Sequence, residues 1–224
     1  IMVKDTIFFP IVFHFHQPVD NFEYVLEESY EKSYNPLVRN LFKFPKVKAT
    51  LHFSGNLLVW LIENKPKFIT RVEKMVKRGQ VELMGGGFYE PIYAIIPKRD
   101  RIAQIKKLTK LIKEKFNLEV NGAWLSERVW EPHYPTFLNE VGLKYVILDD
   151  NHFRSTGIIQ EDTFYSYITE DEGKVIRVFP INEKLRYLIP WKPTYHIFDY
   201  LKSVVDEKGY KFALLISDAE KLCV

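Results

Sequence analysis

The stretch Leu214-Leu-Ile-Ser-Asp-Ala-Glu-Lys221 runs from three apolar residues through a serine into an acid. A second stretch, Ala123-Trp-Leu-Ser-Glu-Arg-Val-Trp-Glu-Pro132, does the same around Glu127. A strand covered on both faces reads as a continuous apolar run, the mark of a buried parallel sheet. An acid at the end of such a strand adds nothing to the core. In a barrel of alternating strands and helices every strand end points to one mouth. Glu127 and Asp218, 91 positions apart by their numbers, are therefore expected to meet across one pocket.

The rest of the chain fits that frame. Apolar runs at residues 7–15, 49–53, 81–84, 122–125, 145–148 and 212–216 read as six strands. Helical spacing marks residues 34–42, 67–77, 100–116, 134–141 and 195–205. Gly79, Gly142 and Gly209 follow three of these helices, where a left-handed cap is favoured. Residues 164–169 and 175–179 read as a hairpin across Asp171-Glu-Gly173. Strands alternating with helices argue for an α/β fold with a parallel sheet, open or closed into a barrel. We find no internal repeat, low-complexity tract or linker, so residues 1–224 are expected to form a single barrel domain.

Composition narrows the function. The chain has 224 residues, 46% of them hydrophobic, enough for a sizeable core. A net charge of +3, spread along mixed-sign helix faces, gives no argument for nucleic acid or a membrane surface. No apolar run approaches the roughly 20 residues that cross a bilayer, and no signal-peptide pattern opens the chain. The single cysteine, Cys223, fits a reducing compartment, and a cytoplasmic location is expected.

Two carboxylates facing one pocket are the minimum equipment for cleaving a glycosidic bond. Trp124 and Trp130 offer ring faces beside Glu127, and Arg128 is placed to lower the Glu127 pKa, as suits a nucleophile. Asp218 would need a raised pKa to act as an acid, and Glu220 is a nearby like charge. His14-Phe-His16-Gln-Pro18 sets two histidines on one face. They would hydrogen-bond neighbours or substrate, or begin a metal site, although no HExxH or CxxC supports the latter. Gly85-Gly-Gly87 is neither a dinucleotide fingerprint nor a Walker loop; it reads as a turn allowing close backbone approach. Glu82, inside a strand, reads as either a substrate-hydroxyl acceptor or half of an ion pair.

These blocks, in this order, resemble glycoside hydrolase family 57. The likeness rests on His14-Phe-His-Gln-Pro18, Arg78-Gly-Gln-Val-Glu82 and Gly87-Phe-Tyr-Glu-Pro91. It continues through Trp124-Leu-Ser-Glu-Arg-Val-Trp130, Asp149-Asp-Asn-His-Phe153, residues 179–190 and Ser217-Asp-Ala-Glu-Lys221. The resemblance implies a TIM-like (β/α)7 barrel and retaining chemistry on α-1,4-glucan, of 4-α-glucanotransferase or α-amylase type, with no cofactor and no metal. It implies Glu127 as nucleophile and Asp218 as general acid/base. His14, His16, Glu82, Trp124, Arg128 and Glu220 are then expected against the sugar. Its archaeal members suggest heat stability. Family members continue where this chain stops, so the barrel is expected to be truncated before its last strand and C-terminal domains. A homo-oligomer would then cover the open edge. The Asp-Gly-Glu-Lys-Phe-Gly block of the family reads Asp218-Ala-Glu-Lys-Leu-Cys223 here. Two other readings stand beside this one. One is a catalytically inactive relative that binds glucan or a partner; the other is a metal-dependent hydrolase or deacetylase using His14 and His16.

Overall fold

Eight strands alternate with helices along the chain in a computed structural model that describes residues 6–205 and 209–222; Cys223 lies outside them. The strands are β1 (Ile11–Phe15), β2 (Ala49–Phe53), β3 (Val81–Met84), β4 (Gly122–Ala123), β5 (Tyr145–Asp149), β6 (Tyr167–Asp171), β7 (Lys174–Ile181) and β8 (Leu215–Asp218). One sheet has the order β3-β2-β1-β8 and the other β4-β5-β7-β6. All pairings are parallel except β6 with β7.

Two short contacts join the sheets into a ring. Gly85, just past β3, bridges Ala123 of β4: Gly85 N–H donates to Gly122 O (2.9 Å), and Trp124 N–H to Gly85 O (2.8 Å). Ile181 of β7 bridges Leu214, just before β8, and Asn182 N–H donates to Leu214 O (2.8 Å). The staves thus run β1, β2, β3, β4, β5, β7, β8 and back to β1. The count of six expected from sequence becomes seven. The hairpin expected across Asp171–Gly173 forms, but its second arm also pairs with β5 over Tyr145–Asp149 and becomes a stave. The edge that was expected to drive self-association is closed by these contacts among the described residues.

The alternation of strand side chains sorts the core. Val12, Met84, Trp124, Ile147, Ile181, Leu214 and Ile216 fill the lumen. Phe13, Phe15, Leu51, Phe53 and Leu83 face outward, under the helices. The helix Lys98–Phe116 buries Ile105, Leu108, Ile112 and Phe116 at helical spacing. It ends at Asn117, whose left-handed backbone (φ 51°) lets its N–H bond Lys113 O. The helix Gly55–Asn64 was not anticipated; its apolar Leu57, Leu58 and Leu61 are buried, and Lys65-Pro66 separates it from the helix that follows. No helix among the described residues is long and apolar enough to cross a membrane.

Candidate active site

Strand register builds the upper rung of the lumen. His14 of β1 stands opposite His52 of β2 on one side and Asp218 of β8 on the other. His52 stands opposite Met84 of β3. His14 lies two residues after the lumen-facing Val12, and Asp218 two after Ile216, so these side chains also face inward at the strands' C-terminal ends. Asp218 is the last residue of its strand rather than just past it.

The glycine-rich turn after β3 closes on this rung. A Cβ on Gly86 would stand 2.9 Å from Trp124 O and 3.0 Å from His52 Nε2, so only glycine lets the backbone pass there. The turn returns Glu90 into the mouth. Its carboxylate lies 3.6 Å from His14 Nε2, 3.3 Å from His16 Nδ1 and 3.7 Å from His52 Nδ1. His14 Nδ1 and His52 Nδ1 are 2.9 Å apart, so one ring donates to the other. Trp124 lies against His14, with ring centroids 4.5 Å apart.

Burial and charge divide the proton affinities. His52 is fully buried, and desolvation pushes its pKa down to about 3. Burial also lowers His14, against partial compensation by Glu90 and Asp218. Burial alone would lower His16, but Glu90, helped by Glu220 and Glu127, outweighs it and holds that imidazole above its ordinary value. Glu90 shows the converse: its burial is outweighed by His16, His52 and His14, and its carboxyl is held low. Burial thus disfavours charge on His14 and His52, while His16 and Glu90, 3.3 Å apart, each favour the other's charged form.

Glu127 and Arg128 follow β4 with φ of 53° and 56°. Two successive non-glycine residues in the left-handed region are uncommon and cost about 1–3 kcal/mol each; such strain collects at functional sites. The turn leaves Glu127 exposed, with its charge acting on His16. Arg128 lines a cavity with Trp124, Arg186 and Asp218. Its Nε donates to Asp149 Oδ2 (2.7 Å), while Arg186 Nη1 reaches Asp149 Oδ1 (3.3 Å). The guanidinium also lies over the Trp124 ring at 5.7 Å.

The two acids near β8 reverse the expected order. Burial would raise Asp218, but the hydrogen bond and charge of Lys221, 2.6 Å away, prevail, with help from His14 and Arg186, and its carboxyl is held low. Glu220 is the raised one, by burial and then by the charge of Asp218. Glu220 is held by Tyr34 Oη and, at 3.4 Å, by Gln17 Nε2. Gln17 Nε2 also donates to Tyr34 Oη (2.8 Å), which ties the end of β1 to the first long helical run.

The structure brings His14, His16, Trp124 and Asp218 to one mouth, with Glu127, Arg128 and Glu220 at its rim. It does not bring Glu82 there. Glu82 lies near the start of β3, accepts from Tyr145 Oη (2.8 Å), and borders a hollow with Pro10, Lys48, Thr50 and Gly79 at the strands' N-terminal ends. Register sets it apart: Glu82 is the second residue of β3, opposite Thr50, whereas Met84, two positions on, stands opposite His52 on the mouth rung. Glu90 and His52 were missed. Only His52 carries a local signal, a polar residue inside the apolar run of β2; Glu90 lies six positions past the end of β3 and is brought back by the turn. Tyr187 and Trp191, both exposed, were also missed; with Trp124, Arg186, Asp218 and Lys221 they line a cavity of about 190 Å³.

Comparison with known proteins places the chain in a family. Residues 10–223 match the model of "Glycosyl hydrolase family 57". The chain is 47% identical over 216 residues to alpha-amylase 1 of Dictyoglomus thermophilum, covering 96% of this chain and 32% of that protein. It is 47% identical over 211 residues to the 4-alpha-glucanotransferase of Thermococcus litoralis, covering 94% of this chain and 32% of that protein. The crystal structure of 4-alpha-glucanotransferase from that organism superposes with a TM-score of 0.95 at 45% identity, covering 98% of this chain and 34% of the other. The chain thus spans about a third of the length of these relatives. With the family model matched over residues 10–223 and the fold superposing on that crystal structure, the chain belongs to glycosyl hydrolase family 57.

Proposed function

We propose that this chain carries the catalytic mouth of a retaining enzyme acting on α-1,4-glucans, of the 4-α-glucanotransferase or α-amylase type. The observation that carries the reading is the strained exit of β4. It presents Glu127 to the His16 side of a rung on which Asp218 stands next to His14. The relatives named above add the substrate class.

In the first step the Glu127 carboxylate attacks the anomeric carbon. The glycosidic C–O bond breaks as the Asp218 carboxyl passes its proton to the leaving oxygen. In the second step water or a sugar hydroxyl gives a proton to Asp218 and displaces Glu127. Water as acceptor makes the enzyme an amylase, and sugar makes it a transferase. Asp218 must be protonated to begin, yet Lys221 holds its carboxyl low. The Lys221 side chain is half exposed, so an arriving sugar can displace it and return the proton affinity that burial favours. His14, His16 and Glu90 take the sugar hydroxyls, while Trp124, Tyr187 and Trp191 supply ring faces.

Maltoheptaose incubated with the chain, beside a Glu127→Gln variant, tests the reading by chromatography of the products. A ladder of shorter and longer oligosaccharides absent from the variant supports transfer, and short products alone support hydrolysis. Equal turnover by the variant would remove Glu127 from the nucleophile role.

A further inference from the structure

The strained turn after β4 is gripped from β5. Glu127 and Arg128 both stand in the left-handed region, where non-glycine residues persist only if their surroundings hold them. The turn makes two backbone bonds of its own, Arg128 N–H to Leu125 O (2.8 Å) and Val129 N–H to Ser126 O (3.3 Å). These close the turn but do not tie it to the rest of the barrel. That tie comes from the end of β5 and the helix Asp150–Arg154 that follows it. Asp149 Oδ2 accepts from Arg128 Nε at 2.7 Å, and His152 Nε2 donates to Arg128 O at 3.1 Å. A single residue of the turn is thus held both by its side chain and by its backbone.

Asp149 forgoes another bond to do this. It occupies the N-cap position of the helix Asp150–Arg154, where an aspartate ordinarily accepts from a backbone N–H of the first turn. Its side chain makes no such bond. Its second oxygen, Oδ1, accepts instead from Arg186 Nη1 at 3.3 Å. Arg186 borders the cavity that Asp218 also lines. One carboxylate therefore links the turn that carries Glu127 to the wall beside Asp218.

We propose that Asp149 and His152 are positioning residues, which together hold Arg128 so that the turn presents Glu127 to the mouth. The inference rests on the reading of Glu127 as nucleophile. A reacting group misplaced by about 1 Å loses on the order of a hundredfold in rate, so release of the turn acts on kcat rather than on KM.

Kinetics on maltoheptaose and amide hydrogen exchange test this together. Asp149→Ala and His152→Phe should each lower kcat by about 10–100-fold, with KM within about threefold of the parent. Exchange at residues 126–130 should quicken in both variants, while the helix Lys98–Phe116 keeps its protection. Arg128→Ala should lower kcat similarly. Combined with Asp149→Ala it should lose no more than the worse single change, because both cut the same contact. Glu73→Gln breaks a partly exposed ion pair with Lys115 (3.0 Å) and should leave kcat and exchange unchanged. Asp149→Asn carries the test if Asp149→Ala fails to fold. Unchanged exchange at residues 126–130 in the Asp149 variants, or losses in kcat that multiply in the double variant, would overturn the proposal. Full turnover by Glu127→Gln would instead remove the nucleophile reading, and the exchange result would still decide whether Asp149 and His152 hold the turn.

Discussion

Replacing Gly122 by alanine tests how the ring closes. β4 is two residues long, and Gly122 pairs with Tyr145 of β5 while its carbonyl accepts from Gly85. A Cβ built there would stand 2.6 Å from Tyr145 Oη and closer still to the ring carbons. Carbon atoms prefer about 3.5–4.0 Å, so the ring must move by more than 1 Å. It is not free to do so: its hydroxyl is bonded to Glu82 at 2.8 Å, and its ring packs edge-on against Phe179 with centroids 5.5 Å apart. Overpacking costs about 1–3 kcal/mol. Loss of a hydrogen bond to a carboxylate adds about 1.5–3 kcal/mol. Relief of glycine's backbone entropy returns about 0.5–1 kcal/mol. Gly122→Ala should therefore destabilise the fold by about 2–5 kcal/mol, measured by urea unfolding. In a Tyr145→Ala background the same change should cost less than about 1 kcal/mol, a coupling that a double-mutant cycle resolves. A loss below about 1 kcal/mol in the parent, or equal losses in both backgrounds, would refute the steric account.

Three further outcomes are expected. Asn182 caps the helix Glu183–Leu188 by accepting from Leu185 N–H at 3.0 Å, so Asn182→Ala should cost about 1 kcal/mol and lower Tm; an unchanged Tm would contradict the cap. Glu220 has a raised pKa, so the folded state holds its proton longer than the unfolded one. Relative to Glu220→Gln, the parent should lose stability as pH rises from the ordinary glutamate value through the folded value, and a series of urea midpoints showing the opposite slope would contradict the burial argument. Lys221→Ala should let burial raise the Asp218 pKa, moving the basic limb of the kcat/KM profile to higher pH; an unmoved limb would remove Lys221 as the controlling charge.

Much of this molecule follows from local pattern. The apolar runs of β1, β2, β3, β5 and β8 and the stripe of Lys98–Phe116 are legible because burial imposes a period of two on strands and 3.6 on helices. The same alternation shows that His14 and His16 share a face, and the end of an apolar run shows where Glu127 and Asp218 stand. Three matters needed the tertiary structure. Lys174–Ile181 reads as a hairpin arm because its partner beyond the hairpin is β5, and a pairing between distant segments leaves no local mark. The neighbours of Asp218 were reversed for the same reason: Lys221 and the buried rung, not Glu220, set its charge, and a pKa depends on distances that sequence spacing does not encode. Last, Glu82 and Glu90 are both acids in motifs of the resemblance, eight positions apart by their numbers. Only the path of the glycine turn, which passes between Trp124 and His52, decides that Glu90 returns to the mouth while Glu82 stays at the opposite end of the lumen.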